Sequence, residues 1–455
     1  MTPTHVELFE LLVGDQVPVA FHGCDGSRRE PADAVGVVEI CRPRALRYLA
    51  TAPGELGLGR AYVLGDLEIH GDLHATLGAL LAHRRASVPW SQLLRGVRWW
   101  MLRRPPLPPE ESPPPWRRGN RRHTKPRDAR AISHHYDLSN RFYELVLGRS
   151  MAYSCAVFMT PQTTLDEAQR EKFDLVCRKL DLRAGQRLLD VGAGWGGLVC
   201  HAAEHYGVRA LGVTLSRAQA ERARRTIFEA GLEGRAEVRF LDCRDLRERS
   251  FDAISSVGVM EHIGTSELGS HFAAMAARLR AQGRMLNHTI TRPSNGARNR
   301  TGPFIDRYIF PDGELQGPGK VIAAMHDHGL EVRHEENLRE HYALTLREWG
   351  ANLERNWQRA VAEVGERRAR AWRLYMAMSR LGFELNRLQV HQVLGVRTPA
   401  DGRSGAPPRP TWARRAPSRT PSELLLDSVG ATPGTPAGNT HVAARNSSVP
   451  ARASR

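Results

Sequence analysis

The chain has 455 residues, 41% of them hydrophobic, and a formal net charge of +16. That length and composition suffice for a full core and suit two domains with flanking segments. No apolar run approaches the ~20 residues of a membrane span, the opening MTPTHVELFELLVGD lacks the basic-then-apolar plan of a signal peptide, and the six cysteines form no C-x-x-C pair or metal-like spacing, so a reducing cytosol and no metal are expected.

The charge is unevenly placed. Residues 95–130 hold eleven Lys/Arg against three acids and residues 397–455 nine against three, which supplies +8 and +6 of the excess. A nucleic-acid protein carries its charge on a folded face, so no nucleic-acid partner is expected. Basic segments beside a near-neutral fold suit an anionic membrane surface; for the tail, a solvated Arg-rich extension is an equal reading.

In chain order, residues 1–85 read as a small α/β or α+β domain without the chemistry of a site. Val35 to Ile40 is a strand by its β-branched content, and Arg44 to Ala50 a helix. The run WSQLLRGVRWWM, residues 90–101, interleaves Trp and Leu with Arg. It suits a helix lying in a membrane interface, and equally a core helix with a basic exposed side. Seven prolines within 105–115 make a stiff linker and a domain boundary. Residues 128–160, dense in His, Tyr and Phe, read as an aromatic helix packed on the main domain. Cys155 has no neighbour there to depress its pKa and is a poor nucleophile.

The chain is organised around residues 186–219, QRLLDVGAGWGGLVCHAAEHYGVRALGVTLSRAQ. A buried strand at 188–191, a glycine turn, a helix from Leu198 to Tyr206 and a second strand at 210–213 form a β-α-β unit. Glycines at the carboxyl end of a first strand let a cofactor approach the backbone, beside the free N–H groups of a helix start. Gly192, Gly194 and Gly197 meet the letters of G-x-G-x-x-G, but no G-K-[ST] follows, which excludes a P-loop. Thr214-Leu215-Ser216 stands where a dinucleotide fold keeps its ribose carboxylate, which counts against NAD. A turn that only packs helix on sheet is the plainer alternative.

A helix follows from Ser216, its N-cap, to Ala230. Strands at 238–241, 251–257 and 283–290 come next, with Asp242, Glu261 and His288 at their ends. Alternating strands and helices indicate a parallel, doubly wound sheet that binds ligands beyond its carboxyl edge, so these three residues should share one rim. FIDRYIFPDGEL, residues 304–315, should cover that rim. ENLREHYALTLREW, residues 336–349, runs into a helix carrying Tyr342, and residues 357–383 read as one long packing helix. Beyond Val396 the composition is that of a disordered tail.

Together HHYDLSNRFYELVLGRSMAYSCAVF, LLDVGAGWGGL, GVTLSRAQ, VGVMEHIG, FIDRYIFPDGEL and ENLREHYALTLREW resemble the cyclopropane-fatty-acyl-phospholipid synthase family over residues 128–395. GELGLGRAYVLGDLEIHGDL is similar to that family's amino-terminal lipid-associated domain. ENLREHYA and HQVL also resemble its branch that methylates oleoyl phospholipid at carbon 10. The resemblance implies a Rossmann-like, doubly wound α/β class I methyltransferase domain at 128–395. A small lipid-associated domain at 1–104 and a Pro/Arg-rich linker at 105–127 would precede it, and a disordered tail at 396–455 would follow.

It further implies S-adenosylmethionine as cofactor and, as substrate, a membrane phospholipid with an unsaturated acyl chain, giving a cyclopropane or a 10-methylene branch. The implied base is a bound bicarbonate, held by Glu261, His288, Tyr342 and the backbones of Cys155 and Ile290. The implied cofactor residues are Tyr153, Ser154, Gly192, Gly194, Thr214, Leu215, Gln219, Asp242, Cys243 and Arg244. Cys243 departs from the family's Tyr or Trp, which should weaken adenine stacking; Ala193, in place of a common Cys, should be harmless. A homodimer, a partner reductase and a cytoplasmic position on the inner face of the cell membrane complete the expectations. The competing classes are a methyltransferase for a soluble amine or hydroxyl, opposed by the Trp-rich lead-in and the anion cluster, and a lipid carrier with a degenerate domain, which would lack the Glu261, His288 and Tyr342 set.

Overall fold

Short β-branched runs in the first eighty residues and longer Leu/Val runs after residue 186 sort into two separate sheets. The computed structural model describes residues 3–83, 103–112, 123–125, 127–128, 139–409 and 412. The Trp-rich run at 90–101, most of HHYDLSN and the tail beyond 412 lie outside the described residues.

The first sheet has the order β2-β1-β3-β4. Its elements are α1 (His5–Val13), β1 (Ala20–His22), β2 (Arg28–Arg29), β3 (Gly36–Ile40), α2 (Arg44–Thr51), α3 (Glu55–Val63), β4 (Leu67–Gly71) and α4 (Leu73–His83). Thr4 starts α1 with a reciprocal cap to Glu7. Phe9 of α1 then stacks on Phe21 of β1, ring centroids 4.5 Å apart.

The second sheet is reached through α5 (Asn140–Leu147) and α6 (Leu165–Lys179), and continues with β5 (Arg187–Val191), α7 (Gly197–Tyr206), β6 (Arg209–Thr214), α8 (Arg217–Glu229), β7 (Ala236–Phe240) and β8 (Phe251–Val257). There follow α9 (Leu268–Arg278), β9 (Leu279–Thr291), α10 (Pro303–Tyr308), α11 (Pro318–Asp327), β10 (Glu331–Asn337), α12 (Arg339–Arg355), α13 (Trp357–Val364), α14 (Glu366–Glu384) and β11 (Gln389–Val396). The order is β10-β11-β9-β8-β5-β6-β7. The five strands from β5 to β9 pair in parallel, and the chain reverses direction across the sheet between β5 and β8. That reversal opens a crevice at the carboxyl edge. The doubly wound α/β expectation holds.

Two sequence expectations change. The sheet is not wholly parallel, because β11 runs antiparallel between β9 and β10. The edge strand β10, EVRHEEN, reads as polar surface because edges carry charges. Residues 357–383 form two helices, because Gly365, at φ 81°, separates α13 from α14. The chain beyond β11 also stays on the sheet for some residues: Arg397 N donates to Gly283 O (2.9 Å) and Gln282 Nε2 to Arg403 O (2.9 Å). Among the described residues no helix is long and apolar enough to cross a membrane.

The elements of the first sheet are fastened to those around the second by buried charge, within one compact unit spanning Met1–Pro410. Arg60 of α3 makes two hydrogen bonds of 2.7 Å to the Glu111 carboxylate, and Arg307 of α10 meets the same carboxylate at 3.2 Å. Arg370 of α14 donates to Tyr62 O at 2.7 Å. Glu111→Ala would strand two buried guanidinium groups and should cost about 3–5 kcal/mol. Denaturant unfolding measures this; a loss below about 1 kcal/mol would contradict the fastening role.

Candidate active site

At the carboxyl edge of β5 the backbone turns through Gly192 (φ 72°) and Gly194 (φ 54°), both in the left-handed region. A Cβ at Gly192 would meet Val259 Cγ2 at 2.4 Å, whereas nothing lies within 4 Å of one at Gly194. The second glycine thus leaves an open cradle beside the amino terminus of α7. It borders a cavity of about 500 Å³, and all ten residues expected for the cofactor line it: Tyr153, Ser154, Gly192, Gly194, Thr214, Leu215, Gln219, Asp242, Cys243 and Arg244.

The strand ends hold these side chains in place. Thr214 Oγ1 donates to Gln219 Oε1 (2.7 Å) and accepts from Ser216 N (3.2 Å), while Ser216 caps α8 by accepting from Gln219 N (3.2 Å). Asp242 grips the Arg244 guanidinium at 2.6 Å, and Arg244 also reaches Asp128 at 3.0 Å. Burial pushes the Asp242 carboxyl upward, but the Arg244 hydrogen bonds outweigh it and hold the group below its usual range. Burial raises the Cys243 thiol to about 11, so it stays neutral.

Two wall residues escaped the sequence reading. Asp190, buried in β5, accepts from Ser255 Oγ at 2.6 Å, and burial raises its carboxyl to about 7. Lys172, buried in α6, donates to Ser154 Oγ at 3.0 Å and sits 4.0 Å from the Phe173 ring centroid; burial brings its ammonium down to about 7. One turn away, Gln169 Nε2 donates to Ser154 O at 2.9 Å. Asp190 hid inside an apolar run, and Lys172 among the charges of a helix that reads as solvated. An open cradle with oxygen acceptors at Asp190 on β5, Thr214 at the end of β6 and the half-buried Asp242 after β7 fits S-adenosylmethionine.

A second cavity, about 1860 Å³, is mainly apolar and is walled by residues from the elements of both sheets. Phe9, Leu12, Ile40, Leu49, Leu77 and Leu81 come from the small domain; Ile305, Leu346, Phe383 and Val390 come from the large one. The small domain, read as lacking site chemistry, thus supplies one side of a binding cavity. Cys155, Glu261, His288, Ile290 and Tyr342 all line this same cavity.

Glu261 Oε1 accepts from Ile290 N at 2.6 Å, while Oε2 is buried without a hydrogen-bond partner. Burial pushes this carboxyl above its usual range, and the Ile290 N–H only partly offsets it. His288 Nδ1 meets Gln392 Nε2 at 3.1 Å, and Nε2 is buried without a partner. Burial, then the Lys172 and Lys179 charges, hold His288 down at about 3, so its ring is neutral. Tyr342 packs on Phe383 with centroids 4.5 Å apart. The Cys155 thiol donates to Ala156 O (3.2 Å), and burial pushes it well up, so it offers no thiolate. The Ile290 N–H thus orients the Glu261 carboxyl.

Asp242 and the Glu261–His288 pair share the carboxyl rim but face different cavities. Tyr153, Ser154, Gly258 and His262 line both. Tyr153 Oη donates to Tyr375 Oη at 3.0 Å, and its ring stacks 6.2 Å from Phe310. The FIDRYIFPDGEL segment covers this junction as expected: Glu314 N donates to Glu261 O at 2.9 Å, and Phe310 borders the larger cavity.

Gly194→Ala should lower S-adenosylhomocysteine affinity at least ~10-fold, while the left-handed backbone costs only about 1–2 kcal/mol of stability. Titration calorimetry decides it; unchanged affinity would remove the cradle. A second expectation concerns acid. Burial holds His262, His271 and His288 at about 4, 4 and 3. The unfolded chain then binds more protons as pH falls through about 6.5, and up to about 4 kcal/mol of stability per pH unit is lost on the way toward pH 4. Unfolding midpoints should drop steeply below neutral pH; a flat profile would contradict this.

The family described as "Mycolic acid cyclopropane synthetase" matches residues 123–393. The probable fatty acid methyltransferase Rv3720 of Mycobacterium tuberculosis is 46% identical over 417 residues, covering 89% of this chain and 97% of that protein. The tuberculostearic acid methyltransferase UfaA1 of the same organism is 34% identical over 367 residues, covering 78% of this chain and 81% of its own. The crystal structure of mycolic acid cyclopropane synthase CmaA1 complexed with SAH and CTAB superposes with a TM-score of 0.56 at 32% identity, covering 59% of this chain and 98% of that one. With its cofactor cradle opening onto an apolar cavity, the chain belongs to the mycolic acid cyclopropane synthetase family and is an S-adenosylmethionine-dependent C-methyltransferase of the cyclopropane-synthase type.

Proposed function

We propose that this protein methylates the double bond of an unsaturated acyl chain carried by a membrane phospholipid, giving a cyclopropane or a 10-methylene branch. The observation that carries the proposal is the apolar cavity of about 1860 Å³, which meets the cofactor cavity at Tyr153 and His262. Sites for compact soluble substrates are typically about 300–1,000 Å³. Bound S-adenosylmethionine supplies an electrophilic methyl group, and a bound bicarbonate supplies the base that an added methyl needs in order to lose a proton.

The chain's own residues have three tasks. Tyr153, Phe310 and Tyr375 surround the junction with rings that tolerate positive charge and exclude water. Glu261 and His288 each offer the anion a buried atom that has no partner among the described residues. Burial raises the Glu261 carboxyl above its usual range, which favours a proton shared between it and the anion and eases the conflict of two adjacent anions. Ring closure and methylene formation both lose a proton from the added methyl, so Glu261, His288 and Tyr342 serve either product. The relative named for tuberculostearic acid supports the branched route, whose methylene would pass to a separate hydride-donating reductase.

Arg298 and Arg300, exposed where they border the cavity, suit an anionic phosphate at a membrane surface. A position on the inner face of the cell membrane follows from that role. A host making oleate, fed methyl-labelled methionine, should gain phospholipids heavier by one labelled CH₂ only when it expresses this protein. Label confined to soluble metabolites would contradict the proposal. Glu261→Ala should lower turnover at least ~100-fold with S-adenosylhomocysteine affinity within about 2-fold; full turnover would remove Glu261 from the anion site.

A further inference from the structure

A row of polar side chains crosses three neighbouring strands behind the candidate anion site. Glu336 of β10 is directly opposite Gln392 of β11, and Gln392 is directly opposite His288 of β9. Gln392 is fully buried and His288 is 2% exposed. Buried polar groups at such a place need a full set of partners. Lys179, the last residue of α6 and itself fully buried, supplies them by donating to Gln392 Oε1 at 2.7 Å and to the Glu336 carboxylate.

The chemistry of these partners fixes the proton on His288. The Glu336 carboxylate beside Lys179 favours its ammonium form, and an ammonium only donates. The amide oxygen of Gln392 must then face Lys179, which leaves the Gln392 NH₂ facing His288 Nδ1 at 3.1 Å. An amide nitrogen only donates, so Nδ1 must accept, and the single proton of a neutral imidazole goes to Nε2. Nε2 is the atom that is buried without a partner, on a residue that lines the acyl cavity.

We infer that Lys179 and Gln392 are positioning residues that lock His288 in its Nε2–H tautomer, making it a neutral hydrogen-bond donor to the anion and not the group that takes the proton. The anion half of this inference rests on the bicarbonate reading; the tautomer half does not. The depressed pKa of His288 accords with it, since a ring that stays neutral through the working range keeps one tautomer. Lys179 and Gln392 lie one layer behind the site, where outer partners commonly set which ring nitrogen carries the proton.

The test is long-range proton–nitrogen NMR on the full-length, histidine-labelled protein with S-adenosylhomocysteine, with His288 assigned by comparison with His288→Gln. The expected spectrum has Nδ1 in the unprotonated range and Nε2 in the protonated range across neutral pH; the reverse assignment overturns the inference without any variant having to fold. Gln392→Glu keeps the shape but replaces the donor with an acceptor, which should force a proton onto Nδ1. It should also raise the bicarbonate concentration needed for half-maximal turnover at least ~10-fold, with the KM for S-adenosylmethionine unchanged. Lys179→Met should give mixed tautomers, because the amide is then free to turn over. A Gln392→Glu protein with native His288 shifts and native kinetics overturns the lock. The expected tautomer in an enzyme indifferent to bicarbonate would uphold the lock and sink the anion reading alone.

Discussion

The part-buried hydrogen bond from Ile290 N–H to Glu261, 2.6 Å long, is the contact on which the rest of the site depends. It joins the short turn after β8 to the end of β9, and so sets where the second carboxyl oxygen points. A carboxyl in that setting is costly to ionise, and its pKa rises accordingly. The same demand recurs around it. Asp190, Lys172, Lys179 and His288 are all buried, and the hydrogen-bonded side chains Ser255, Ser154, Gln392 and Glu336 answer them. A polar layer is thereby held beside two cavities, the cofactor cavity and the larger apolar one.

The fold places that layer by simple means. Reversal of chain direction between β5 and β8 opens the crevice, and glycines with positive φ keep its floor clear of side chains. The antiparallel strand β11 then carries Gln392 behind His288. The small domain, bound through Arg60, Glu111 and Arg307, contributes Phe9, Leu49 and Leu77 to the wall of the larger cavity. An acyl chain reaching the junction would therefore run along both domains. Their fastening by buried charge accordingly bears on substrate binding as well as on stability.

Much of this was legible in the sequence because it rests on local rules. The strand-turn-helix at 187–206, the Ser216 cap and the strand at 251–257 each follow from residues close in sequence. All fifteen expected site residues border at least one of the two cavities. What stayed hidden depends on partners far away in sequence. Lys172 and Lys179 look like solvated charges until α6 is known to lie on the sheet. Gln392 is an ordinary polar residue until β11 pairs with β9. The small domain shows no site chemistry because its part is a hydrocarbon wall, which composition alone does not separate from a core.

The most direct test of the account is the structure of the protein crystallised with S-adenosylhomocysteine and an oleoyl phospholipid. The account predicts the acyl chain in the large cavity, its double-bond carbons beside Glu261 and His288, and the cofactor sulfur facing them across Tyr153 and His262. A lipid chain bound outside that cavity, or a cofactor sulfur walled off from it, would contradict it.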